Sequence, residues 1–338
     1  MTDKAFFLFP GQGAQYPGMA LDLLDSSRNS GGPRVKNLFS LASEIYGKDM
    51  AALLADSDAD TLKRTDVSQP AITLANLAAA AYLEEKGIKP SGCAGFSLGE
   101  YAALAAAGVI TEEDCFLLVT QRGKAMQAAI DRIGAGTKAG GSPGMAAVMG
   151  LAPEKVEALI GEWKAGANPA LKDLYAANIN SPRQTVVSGS AGALAEAEGL
   201  FTAAGARRFI RLQVAGPYHS PFMAEAAEEF RPFLDKVVFK DPHIPLYSNV
   251  SGKRVCSGEE AKKLALSQIT SPVRWVDEEA AIAQTGGAAS GAAGGIDCLL
   301  EVGPGKVLQG LWKDTGSPLP CYAAGTAADI EKLFQNGD

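Results

Sequence analysis

Gly95-Phe96-Ser97-Leu98-Gly99 places a serine between two glycines with the spacing G-x-S-x-G. A serine hydroxyl is a weak nucleophile at neutral pH and needs an adjacent base. The spacing suits that chemistry when a strand runs into the serine and a helix leaves it. The tight turn then holds the hydroxyl exposed, the glycines let neighbouring elements pack close, and the N–H after the serine faces a developing oxyanion. The chain has 38 glycines, so a chance match is also available and Ser97 reads equally as a small residue in a Gly/Ala-rich run. The base is constrained by scarcity, because the only histidines are His219 and His243. His243, in "KDPHIPLYSNV", lies between two prolines ahead of a strand and reads as a loop residue. His219, in "VAGPYHSPFM", lies where a strand ends and a helix begins, a place where catalytic residues concentrate. It also reads as an ordinary helix-start residue. Both histidines follow the serine, so chain order does not separate them.

The elements that must position these residues follow from periodicity and punctuation. "AFFLF" (5–9) predicts a buried strand stopped by Pro10, and "SQPAITLANLAAAAYLEEKG" (68–87) a helix closed by Gly87. "SGCAGFS" predicts a strand entering Ser97, and "LGEYAALAAAG" a helix leaving it, which is the context a nucleophile needs. Thr111, followed by acidic residues, caps a helix over 111–130. After a Gly-rich break at 134–144 the order becomes strand, helix, strand, strand, helix, strand, the split βαββαβ unit. "ARRFIRLQV" is the last of these strands. The expected fold class is therefore α/β: an α/β-hydrolase-like catalytic domain over 1–142 and 214–338, with a ferredoxin-like small domain inserted at 143–213. "HSPFMAEAAEEFRPFLDKV" predicts a helix, and "PLYSNV" and "IDCLLEVGPG" predict strands. "SSRNSGGPR" (26–34) and "TGGAASGAAGG" (285–295) predict surface loops.

Composition narrows the class of function. The 338 residues suffice for one large domain and a small one, and 47% hydrophobic with 20% charged residues is ordinary for a globular protein. A net charge of −7 disfavours a nucleic-acid partner. The longest apolar stretch, 71–83, is short of a membrane span, and the apolar run before Pro10 is too short for a signal-peptide core. Five cysteines, an odd count with no CxxC pair, predict reduced thiols in a cytoplasmic protein.

Several stretches together resemble malonyl-CoA:acyl carrier protein transacylases and the related acyltransferase domains of polyketide and fatty acid synthases. They are "FLFPGQGAQYPGM", "SQPAI", "GFSLGEYAAL", "QRGKAMQ", "GMAAVMGL", "ANINSPRQTVVSG", "VAGPYHSPFM", "PLYSNVSG", "QITSPVRW" and "EVGPGKVLQGL", and they span nearly the whole chain in order. The resemblance implies that Ser97 carries the acyl ester and His219 is the general base. It implies that the backbone N–H groups of Gln12 and Leu98 form the oxyanion hole, and that Arg122 grips the malonyl carboxylate. Read alone, Arg122 is a helix-end arginine that caps carbonyls or pairs on the surface. The resemblance further implies that the Gln268 carbonyl orients the histidine and that Asn180 lies near the cleft.

Two positions depart from the family pattern. Phe96 stands where the family usually has histidine, which puts pocket shape in doubt while leaving the later base, His219, in place. Tyr218 keeps an aromatic ring before the histidine, which in related synthase domains goes with malonyl over methylmalonyl. The implied reaction is ping-pong transfer of malonyl from malonyl-CoA to the phosphopantetheine thiol of acyl carrier protein. No metal or other cofactor and no membrane is implied, and a monomer is expected. Arg207, Arg208 and Arg211 are a candidate docking patch for an acidic carrier protein. A thioesterase or other serine hydrolase, and a non-catalytic carrier-protein-binding homologue, are the rival readings.

Overall fold

The computed structural model describes residues 4–30, 32–136, 141–285 and 295–335. β1 (Ala5–Phe9) is apolar at every position and fully buried, as a central parallel strand requires. Three helices follow, α1 (Leu21–Ser30), α2 (Pro33–Tyr46) and α3 (Met50–Asp56), then the long α4 (Thr65–Glu85). β2 (Pro90–Gly95) leads into α5 (Gly99–Ala106) and α6 (Glu112–Gly136). The next run is β3 (Gly144–Met149), α7 (Pro153–Ala165), β4 (Leu174–Ser181), β5 (Gln184–Gly189), α8 (Ala191–Ala203) and β6 (Arg208–Arg211). The chain ends with α9 (Ala224–Lys236), β7 (Leu246–Ser248), β8 (Lys253–Val255), α10 (Gly258–Ser267), α11 (Trp275–Thr285), β9 (Cys298–Glu301), α12 (Val307–Asp314), β10 (Cys321–Ala323) and α13 (Ala327–Gln335).

Two sheets result. The larger has the order β10-β9-β1-β2-β7-β8 and is parallel apart from the β7–β8 hairpin. The smaller, β4-β5-β3-β6, is antiparallel throughout. Its connectivity is the ferredoxin-like one expected from βαββαβ, with α7 and α8 packed on one face around Val148, Val156, Val187, Leu194 and Phe201. Val273, just before α11, exchanges backbone hydrogen bonds with Ala177 and Ile179 of β4 (2.9 and 2.7 Å), which ties the small sheet to the segment entering α11.

The structure corrects several sequence expectations. Residues 26–30 of the expected loop complete α1, and Pro33 opens α2 as its first residue, where its missing N–H costs nothing. Polar residues suit a helix end whose buried side is supplied earlier by Leu23 and Leu24. α4 begins at Thr65 rather than 68, and α6 continues through Gly136. The last strand of the small sheet contracts from 206–214 to 208–211, because only that segment has β3 to pair with. Of the two Gly-rich segments, 137–140 and 286–294 lie outside the described residues. Among the described residues no disulfide is formed, and no helix is long and apolar enough to cross a membrane.

Candidate active site

Only three residues turn the chain from β2 to α5, and the middle one, Ser97, has φ of 49°. A non-glycine residue in this left-handed region costs about 1–3 kcal/mol, so the surroundings must hold it there. The side chain of Asn249 does so. Its Oδ1 accepts the Ser97 N–H at 2.6 Å while its Nδ2 donates to Gly95 O at 2.7 Å. One amide thus grips both flanks of Phe96. The same Nδ2 donates to Glu278 Oε1 (2.7 Å), which sets the amide's orientation. The glycines are steric requirements: a Cβ at Gly95 would lie 2.1 Å from the Gly99 backbone, and one at Gly99 would lie 2.0 Å from Phe9 O.

Ser97 Oγ lies 2.8 Å from His219 Nε2. The other ring nitrogen, Nδ1, lies 2.9 Å from Gln268 O and 3.1 Å from Ser271 O. Both are carbonyls and only accept, so Nδ1 carries the hydrogen and Nε2 presents its lone pair to the serine hydroxyl. Backbone carbonyls orient this imidazole, where an α/β hydrolase uses a carboxylate. His219 is itself left-handed, with φ of 54°. Burial, reinforced by the charge of Arg122 and opposed by the two carbonyl bonds, pushes its pKa down to about 4. The ring is therefore neutral and able to accept a proton at physiological pH. His243 is elsewhere: its N–H donates to Ala107 O (2.9 Å) and its ring packs against Gly108.

The backbone donors at the turn can be accounted for one by one. The Ser97 N–H is taken by Asn249, the Gly99 N–H by Phe96 O (2.9 Å) and the Glu100 N–H by Ser97 O (3.1 Å). The Leu98 N–H is left, at the head of α5. Gly11 of the Pro-Gly-Gln-Gly turn packs onto the same place, where a Cβ would lie 2.2 Å from Phe96 O and 3.5 Å from Leu98 N. Among the described residues neither the Leu98 nor the Gln12 backbone N–H has a protein acceptor.

Arg122, from α6, is 1% exposed. Its Nη2 donates to Gln268 Oε1 at 3.0 Å, and its guanidinium carbon lies 5.4 Å from the centre of the Tyr101 ring. Its Nε is buried with no partner, and among the described residues the guanidinium forms no ion pair. Burial is the largest influence on it and lowers its pKa, though an arginine stays charged at neutral pH. Gln268 is the hub. Its carbonyl holds His219, its Oε1 holds Arg122, and its Nε2 donates to Ser97 O (3.0 Å) and Glu100 Oε2 (2.7 Å). Tyr218 is buried, its hydroxyl bonded to Thr65 Oγ1 (2.9 Å) and Gln12 Nε2 (3.2 Å). Phe96 is half-buried, edge-on to Trp275 with ring centres 5.4 Å apart. Asn180 on β4 is buried with Oδ1 unpartnered, and among the described residues no hydrogen bond joins it to the Ser97–His219–Gln268 network.

Asn249, Glu100, Glu278 and Ser271 escaped the sequence reading. Asn249, Glu100 and Ser271 lie in stretches that carried the family resemblance, but an Asn, Glu or Ser in a motif does not say which atom it will face. The acyl transferase domain family matches residues 6–317. The malonyl CoA-acyl carrier protein transacylase of Bacillus subtilis is 34% identical over 98% of this chain and 96% of its own length. Among solved structures, an acyl carrier protein S-malonyltransferase from Vibrio cholerae superposes with a TM-score of 0.83 at 34% identity, covering 98% of this chain and 99% of its own. A malonyl-transacylase in complex with a type II polyketide synthase acyl carrier protein superposes with a TM-score of 0.83 at 33% identity, covering 99% and 100%. With its serine on a left-handed turn against a neutral histidine, and with relatives matching from end to end, the chain belongs to the acyl transferase domain family.

Proposed function

We propose that this chain transfers the malonyl group from malonyl-CoA to the phosphopantetheine thiol of acyl carrier protein through an ester on Ser97. The observation that carries the substrate choice is Arg122, a buried cation with an unpartnered Nε and no ion pair among the described residues, two hydrogen bonds from the Ser97 backbone through Gln268. A buried cation with no carboxylate in direct contact is costly, and a carboxylate on the acyl group relieves that cost in a planar, two-point contact that suits guanidinium. A generic esterase has no use for such a group.

In the first half-reaction Ser97 Oγ attacks the thioester carbon and its proton passes to His219 Nε2. The Leu98 and Gln12 N–H groups receive the oxyanion, and preorganised donors of this kind are typically worth several kcal/mol of barrier. The C–S bond breaks and His219 returns the proton to the sulfur of CoA. In the second half the carrier's thiol gives its proton to His219, its sulfur attacks the ester carbon, and the proton goes back to Ser97 Oγ. No resident cofactor takes part in these steps. Phe96 and Tyr218 shape the acyl site, and cysteines in reduced form fit a reducing cytoplasm. Arg207, Arg208 and Arg211 are exposed on or beside the edge strand β6 and among the described residues form no ion pair, which fits docking of an acidic carrier.

Intact-protein mass spectrometry after mixing with malonyl-CoA tests this reading. A persistent malonyl adduct, absent in Ser97→Ala and discharged by acyl carrier protein, is expected. Steady CoA release without acceptor points instead to a hydrolase, and no adduct to a binding protein.

A further inference from the structure

Glu100 is a buried carboxyl that the transfer chemistry leaves unused. It lies in the first turn of α5, three residues beyond the nucleophile, and is 3% exposed. Its Oε2 accepts from Gln268 Nε2 (2.7 Å) and from the Asn249 N–H (3.1 Å). The Gln268 amide has only one productive orientation here. Its nitrogen must face the carboxyl, and its oxygen then faces Arg122 Nη2. A buried cation and a buried carboxyl are therefore joined end to end through one oriented amide. The charged and titratable groups facing Glu100 are Arg122 from α6, Glu278 from α11 and the phenol of Tyr101 beside it on α5.

We propose that Glu100 is a positioning residue for carboxylate recognition: it is the resident counter-charge of Arg122, coupled through the Gln268 amide, and the malonyl carboxylate displaces it from that role. This rests on the malonyl-transfer reading. Before substrate arrives, a Glu100 carboxylate offsets the arginine from a distance. Once malonyl occupies the guanidinium directly, Glu100 faces a second anion in the pocket as well as Glu278, and binds a proton. Burial already pushes Glu100 up to about 7, so the exchange falls near neutral pH. Linkage is reciprocal: a substrate that makes Glu100 take up a proton is favoured when Glu100 is protonated. The preference for malonyl over acetyl therefore falls as pH rises through neutrality. Acetyl, with no charge, neither displaces Glu100 nor senses it.

The test compares malonyl-CoA and acetyl-CoA on the unaltered chain in weakly buffered solution with a pH indicator, with the acyl adduct quantified by mass in the same samples. Both reactions exchange a thioester for a serine ester and release CoA, so proton release from the CoA thiol is common to both. The malonyl adduct is expected to take up a fraction of a proton more than the acetyl adduct at about pH 7, and Glu100→Gln is expected to abolish that excess. The malonyl-to-acetyl ratio of kcat/KM is expected to fall roughly tenfold between about pH 6 and 8 in the unaltered chain and to stay flat in Glu100→Gln. A malonyl adduct without the excess proton, or an unchanged pH slope in Glu100→Gln, overturns the proposal alone. Absence of any malonyl adduct overturns it together with the transfer reading.

Discussion

Arg122→Ala separates recognition of a carboxylate from every other task at this site. In the structure the guanidinium has committed Nη2 to Gln268 and keeps a buried, unpartnered Nε. A malonyl carboxylate approaching it gains two charge-assisted hydrogen bonds, each typically worth about 1.5–3 kcal/mol. Their loss amounts to a fall in malonyl kcat/KM of roughly 10²-fold or more, at about 1.4 kcal/mol per decade. Acetyl transfer has no such contact to lose and should hold or improve, so the preference between the two CoA esters should be erased or inverted. Arg122 also helps to hold the His219 pKa down, so its removal lets the imidazole titrate nearer its ordinary range. Measuring at about pH 8 keeps the base neutral in both forms, at or above the unperturbed histidine pKa of about 6.5. The assay is CoA release on malonyl-CoA and acetyl-CoA side by side, with acyl carrier protein as acceptor. Equal proportional loss on both substrates would refute the reasoning and leave Arg122 as a support for Gln268 and the fold.

Two further outcomes follow from the same geometry. His219→Ala should slow acylation by several orders of magnitude while His243→Ala leaves it nearly intact, because loss of either member of a nucleophile–base pair disables the pair; stopped-flow or quenched acylation reads this directly. The acid limb of the acylation rate should fall near pH 4 rather than at the ordinary histidine value, since the working form is the neutral imidazole and its pKa is pushed down to about 4. The rate should therefore be retained on acidification from pH 7 and lost only as pH falls through that value. A limb centred near 6.5 would mean that His219 is solvated or is not the base.

The glycines at 95 and 99 and the strand-to-helix punctuation around Ser97 were legible because steric limits at a tight turn act locally. The βαββαβ order was legible for a similar reason, since alternating apolar strands and capped helices announce themselves within a dozen residues. β8 and β10, each three residues long, were not, because so short a strand has no periodicity to read. The end of α1 reads as loop in the sequence because Ser, Arg and Asn favour local solvent exposure, whereas the buried leucines one turn earlier set the helix.

Residue type and spacing identify the groups with the chemical means: a serine in an elbow motif, two histidines, an arginine with the fork to read a carboxylate. Tertiary structure decided which of them meet. His219 and His243 are equivalent in type and both follow Ser97, and only folding puts the first at 2.8 Å from Oγ and the second at the end of α5. The orienting acceptors of the imidazole are backbone carbonyls, which every residue possesses and no motif can flag; Gln268 was found through resemblance and Ser271 not at all. The same holds for Asn249, Glu100 and Glu278, drawn from β7's end, α5 and α11 into one hydrogen-bonded frame around a left-handed serine. A hydrogen bond depends on distance and direction between atoms more than a hundred residues apart in the chain, as with Ser97 and Asn249, and those quantities exist only once the sheet has formed.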